Sequence, residues 1–99
     1  MDFDGYPEPR ELMKIAKWPA GDYPALMDYV RERWTYTDCG YWNQWDRIYW
    51  LHTGGWSGNE RLAQALMKNR VFWALCWQSS RRGGHYVFQL RKEAKNEKA

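Results

Sequence analysis

Two short polar stretches of this 99-residue chain carry the residue types that could hold an anion. The first reads Thr53-Gly54-Gly55-Trp56-Ser57-Gly58-Asn59-Glu60, the second Ser79-Ser80-Arg81-Arg82-Gly83-Gly84-His85-Tyr86. In the first, glycines lacking a Cβ let the backbone turn its N–H groups toward a ligand, and a helix start behind them adds its dipole. In the second, the planar guanidinium groups of Arg81 and Arg82 can grip a phosphate through two parallel bonds or stack on a base. Ser79, Ser80 and His85 flank them as hydrogen-bonding groups. Trp56 inside the first loop and Trp77 just ahead of the second supply rings for stacking. The chemistry this set suits is non-covalent capture of a small anion bearing an aromatic ring, of nucleotide type.

Other chemistries fit less well. The first loop has neither the lysine of a P-loop nor the glycine spacing of a dinucleotide fingerprint. Ser57 with Glu60 has the spacing of a capping box, so Ser57 reads as a helix cap rather than a nucleophile. A tight turn with an ordinary cap explains that loop as well as an anion site does, and a solvated hairpin explains the arginines. It is the pairing of the two loops that favours binding. Glu60 could act with His85 as an acid–base pair only if the fold joins them. His52 sits on an expected strand and reads as structural. Cys39, Cys76 and the two histidines show no paired zinc spacing, so no metal and no cofactor are implied.

The elements that must position the loops follow from periodicity. Pro9 to Lys17 reads as a brief helix ended by Trp18-Pro19, and a second begins near Pro24 with Leu26, Val30 and Trp34 in one stripe. Arg47 to Thr53 reads as a strand stopped by Gly54-Gly55, with Trp50 in the core. A helix over about 58–69 follows, carrying Leu62, Ala63, Leu66 and Met67 and closed by a left-handed Asn69. Val71 to Gln78 is expected as a strand with Val71, Trp73, Leu75 and Trp77 on one face, and His85 to Leu90 as another. Trp42 and Trp45 are expected in a subunit contact, a pocket lid or a patch against the second helix. The fold class is α+β, a single domain over 1–90 with a three-stranded mixed sheet packed on helices, and 91–99 is a charged flexible tail. A right-handed crossover would make strands 47–53 and 71–78 parallel neighbours and bring both glycine loops to one sheet edge.

Composition bounds the rest. Eight Trp, seven Tyr and three Phe are more rings than so short a chain can bury, so some should face a ligand or a second subunit, most simply in a two-fold dimer. The net charge of +3 is far from that of a general nucleic-acid binder, yet residues 41–90 hold six basic side chains against two acidic ones. Residues 1–40 hold five against eight. Neither a signal segment nor an apolar run long enough to span a bilayer is present, which reads as soluble and intracellular. The two cysteines are too few for a disulfide scaffold, and one bridge between them stays open.

The wording of the two loops resembles a family of small proteins of tailed phages. Its pattern is Thr-Gly-Gly-Trp-Ser-Gly-Asn-Glu, a short helix, then Phe-Trp-x-Leu-x-Trp-x-x-Ser-Arg-Arg-Gly-Gly-His-Tyr, matched here by Thr53–Glu60 and Phe72–Tyr86. The match covers roughly residues 47–90. The resemblance implies a place in the cytoplasm of an infected bacterium and a role against host defence. Small phage proteins that counter bacterial defence are often stoichiometric inhibitors, and some resemble sponges that bind nucleotide-derived immune signals, such as cyclic oligonucleotides or cyclic ADP-ribose-like messengers, without cleaving them. The alternatives left open are a protein-binding inhibitor of a host defence complex, of anti-CRISPR type, a small phosphodiesterase, and, from the interleaved aromatics and arginines, single-strand nucleic-acid binding.

Overall fold

The computed structural model describes residues 6–90, with the backbone alone at Cys39. The charged tail expected over 91–99 lies outside the described residues. Helix α1 (Pro9–Ala16) starts on a proline whose fixed φ suits the first turn, and the Glu8 N–H donates to Glu11 Oε1 at 2.8 Å. Helix α2 (Tyr23–Arg33) buries Leu26, Met27 and Val30. Arg33 joins the two helices: its Nε donates to Glu11 Oε2 at 2.9 Å while its guanidinium lies 3.5 Å from the Tyr29 ring centre. A 3-10 turn (Thr37–Cys39) then leads into strand β1 (Trp42–Trp45). Strand β2 (Ile48–His52) follows after a two-residue turn in which Asp46 takes φ 58°.

Helix α3 (Ser57–Lys68) buries Leu62, Ala63, Ala65 and Leu66 as the period demands, whereas Met67 faces out. The expected strand from Val71 is instead helix α4 (Arg70–Cys76). A continuous run of aromatic and aliphatic residues fits a buried strand and a buried helix alike, and the chain's surroundings decide between them. Here the decision falls at Asn69, which is not a left-handed stop but extended, at φ −81° and ψ 90°. Its buried amide accepts from Phe72 N at 3.2 Å, capping α4, and donates to the Ile15 and Trp18 carbonyls at 3.0 and 3.2 Å. Phe72 and Cys76, one turn apart, are thereby turned inward, and Val71 and Leu75 outward.

Strand β3 (Trp77–Arg81) begins where α4 ends, with a bulge between Trp77 and Ser79, and a glycine turn returns the chain as β4 (His85–Gln89). The sheet has four strands in the order β1-β2-β4-β3, every neighbouring pair antiparallel. The α+β class therefore stands, the described residues forming a four-stranded antiparallel sheet in place of the expected three-stranded mixed one, and four helices. Tyr49, Leu51 and Phe88 point from the sheet into one core with Ile15, Leu26, Val30, Leu62, Leu66 and Phe72.

Candidate functional site

Among the described residues there is no parallel crossover, yet both glycine loops lie at one end of the sheet. β4 runs antiparallel to both β2 and β3, so those two point the same way with β4 between them. His52, His85 and Arg81 form a single row across the three strands at that end. The loops touch: Thr53 N donates to the Gly84 carbonyl at 3.0 Å. A Cβ on Gly84, at φ +83°, would collide with the Thr53 side chain, and one on Gly54, at φ +65°, with the Tyr41 ring. Glycine is required at both positions by close approach as well as by conformation.

Several residues of the first loop hold this junction together rather than face solvent. Thr53 and Asn59 are buried. Asn59 accepts from Thr35 N at 2.8 Å and donates to the Thr35 and Thr53 carbonyls at 3.2 Å each. Two of the N–H groups expected to meet an anion turn back on Thr53: Trp56 N donates to its carbonyl at 3.1 Å and Gly55 N leans toward Oγ1 at 3.4 Å. The Ser57–Glu60 capping box is not formed. α3 starts one residue earlier than that motif requires, with Trp56 at the cap and no side-chain bond. Ser57 and Glu60 instead line a groove of about 640 Å³ between α1 and α3, together with Arg61 and Lys68. His85 lines a different depression, so Glu60 and His85 do not share a cavity.

That second depression, of about 510 Å³, opens on the sheet face turned away from the helices. It is lined by Trp50, Ser79, Arg81, Arg82, His85 and Val87. Strand alternation explains the set: Ser79, Val87 and Trp50 form one row, and Arg81, His85 and His52 the next row on the same face. Trp77 and Ser80 fall on the opposite face, paired with Phe88 and Tyr86, and Trp77 stacks on Trp73 at 5.9 Å. Although the α1–α3 groove is the larger hollow, only the sheet-face depression unites arginines, an imidazole and an indole with no carboxylate in its wall. Neither Arg81 nor Arg82 has an ion-pair partner among the described residues, which leaves both charges available to a ligand.

Sequence reasoning missed Trp50, which is 41% exposed rather than core. The signal was its phase. Trp50 and His52 share a parity on β2, and the face bearing a histidine is the wetter one. Also missed was a file of rings along the sheet end. His52 and His85 stack at 3.9 Å and 22°, Tyr41 meets His52 edge-on at 5.3 Å, and Tyr36 bridges Tyr41 at 6.0 Å and Trp56 at 5.2 Å. Tyr36 takes the left-handed conformation at φ 64°, uncommon for a bulky residue and set where its ring joins that file. Trp56 is exposed at the far end of the file, outside the depression that holds the arginines.

Among the described residues no group of three or more His, Cys, Asp or Glu side chains could hold a metal ion, and no helix is long and apolar enough to cross a membrane. No family model, curated protein or solved structure matches the chain. Its site has to be read from its own geometry.

Proposed function

We propose that the depression on the open sheet face binds a nucleotide-type anion and holds it without converting it. The observation that supports this most is the joining of Arg81, Arg82 and His85 to the Trp50 indole around one hollow with no acidic side chain in its wall. A guanidinium fork suits a phosphate, the exposed indole offers a face to a base, and Ser79 with His85 adds hydrogen-bonding groups to fix the orientation. In the setting that the phage-family resemblance implies, such a protein is a sponge: it sequesters a nucleotide-derived signal of host defence, such as a cyclic oligonucleotide or a cyclic ADP-ribose-like messenger.

The test is incubation with candidate messengers, removal of the free pool, and heat denaturation. The ligand should be recovered unchanged. Arg81→Ala and Arg82→Ala should each lose up to about 1.5–3 kcal/mol of binding, roughly tenfold to a hundredfold, if they make charge-assisted phosphate contacts. Recovery of a cleaved product would transfer the protein to the phosphodiesterase class. Unchanged binding by the double arginine variant would remove the site.

One observation favours a second reading, an inhibitor that docks on a host protein. Val71 and Leu75, one turn apart on α4, and Trp77 at the start of β3 are apolar and exposed. A host complex retained by the parent and by Arg81→Ala, but lost by Leu75→Glu, would establish it. Sedimentation of the parent separates this case from self-association in the expected dimer, which the same strip could equally serve.

A further inference from the structure

We infer that the site takes a ligand of at least two nucleotide units, with Trp45 receiving the second base. This rests on the reading of the arginine-lined depression as a nucleotide site and extends it along the sheet. In the β1–β2 register Asn43 stands opposite Trp50 and Trp45 opposite Ile48, so Trp45 lies one row beyond Trp50 on the same open face. It is 73% exposed, the most exposed of the described large apolar side chains. The two-residue turn with Asp46 at φ 58° fixes its strand at the hairpin end.

The spacing is that of an extended strand of nucleotides. Trp45 and Trp50 are diagonal neighbours on adjacent strands, a relation that sets backbones about 7–8 Å apart, roughly twice the ~3.4 Å step of stacked bases. Bases seated on Trp50 and Trp45 must therefore be unstacked from each other, each resting on its own indole, which is how single strands are held on aromatic platforms. Beside Trp50 in its own row, and two residues before Trp45 on the same strand, the face carries Asn43, an exposed amide able to reach a base edge. Carboxylates are absent from the rows between Trp45 and Arg81. The nearest, Asp46, lies in the turn past Trp45 and faces Arg47 at 3.7 Å. Phosphate is thus favoured at the Arg81 end and tolerated along the track.

The experiment titrates the parent with AMP, the linear dinucleotide pApA, linear tetra-adenylate and cyclic di-AMP, following tryptophan fluorescence and calorimetry. The dinucleotide should bind at least about tenfold more tightly than AMP, the usual gain from one stacked base. Trp45→Ala should erase that gain while moving AMP affinity less than twofold, and Trp45→Phe should restore part of it. Melting curves of both variants should match the parent, since the indole is solvent-facing. The linear and cyclic arms distinguish an oligonucleotide end from a ring-closed messenger, and tight binding of either supports the inference. Equal affinity for AMP and pApA, unaltered by Trp45→Ala, would overturn it and leave the arginine site standing. If the parent binds none of the four, the site itself falls.

Discussion

On one face of the sheet Tyr49, Leu51 and Phe88 are packed against four helices; on the other, Trp50 and Trp45 stand in solvent. The strands are the same and the residue classes nearly so. What separates the faces is coverage. Every described helix lies on one side, so alternation along β2 sends Tyr49 and Leu51 inward and Trp50 and His52 outward whatever their hydrophobicity. The inner face is saturated with apolar contacts and carries stability. The outer face keeps large rings beside two arginines that have no ion-pair partner among the described residues. That face is the one assigned to the ligand in the proposed function.

Substitution on either side breaks the comparison most directly. Phe88→Ala empties a fully buried ring position and should cost about 3–5 kcal/mol in chemical denaturation. Trp50→Ala, one strand away on the outer face, should cost less than about 1 kcal/mol while weakening any nucleotide bound there. Equal losses from the two would mean that the outer face is covered in solution and that the contrast is false.

A smaller effect is expected at the junction that joins the two glycine loops. Asn59→Ala leaves the Thr35 N–H and the Thr53 carbonyl without their side-chain partner in a buried place, which should cost about 2–3 kcal/mol. Hydrogen exchange should then show the 53–60 loop and the 35–40 turn opening together. A stability loss without local opening would place the role of Asn59 in packing alone.

The smallest effect sharpens the inner side. Burial pushes the Glu11 carboxyl up, but the Glu8 N–H and the Arg33 guanidinium together hold it below its ordinary value of 4.5. A carboxyl with a lowered folded value contributes stability above its unfolded value and loses it as pH falls through the folded one. Melting temperature should therefore drop on acidification below about pH 4.5 in the parent, and Glu11→Gln should flatten that drop while costing about 1–2 kcal/mol at neutral pH. An unchanged acid limb in the variant would show that the α1–α2 ion pair plays no part in it.

Much of the fold was legible from period and punctuation. The stripes Leu26–Val30–Trp34 and Leu62–Ala63–Leu66 mark α2 and α3, Gly54-Gly55 ends β2, and Tyr86, Phe88 and Leu90 share the inner side of the last strand. Residues 70–76 were not legible, because an apolar run of that length satisfies two periods and only the buried Asn69 cap selects the helix. β1 escaped notice because Trp-Asn-Gln-Trp lacks the β-branched signature, and Asp46-Arg47 is not one of the glycine-bearing pairs that announce a hairpin. Of the candidate site, Ser79, Arg81, Arg82 and His85 do come together, while Thr53 and Asn59 are absorbed into the junction and Ser57 and Glu60 face another groove.

The sequence by itself determined the α+β class, the two glycine loops and the gathering of positive charge in residues 41–90. These are local or compositional properties, fixed by side-chain period, by the conformational freedom of glycine and by simple charge. Only the tertiary structure decided which face of the sheet the helices cover, and with it which tryptophans are core and which are free. That choice depends on contacts between residues far apart in the chain, such as Asn69 with Ile15 and Asn59 with Thr35; locally, only the parity that Trp50 shares with His52 points to the outcome.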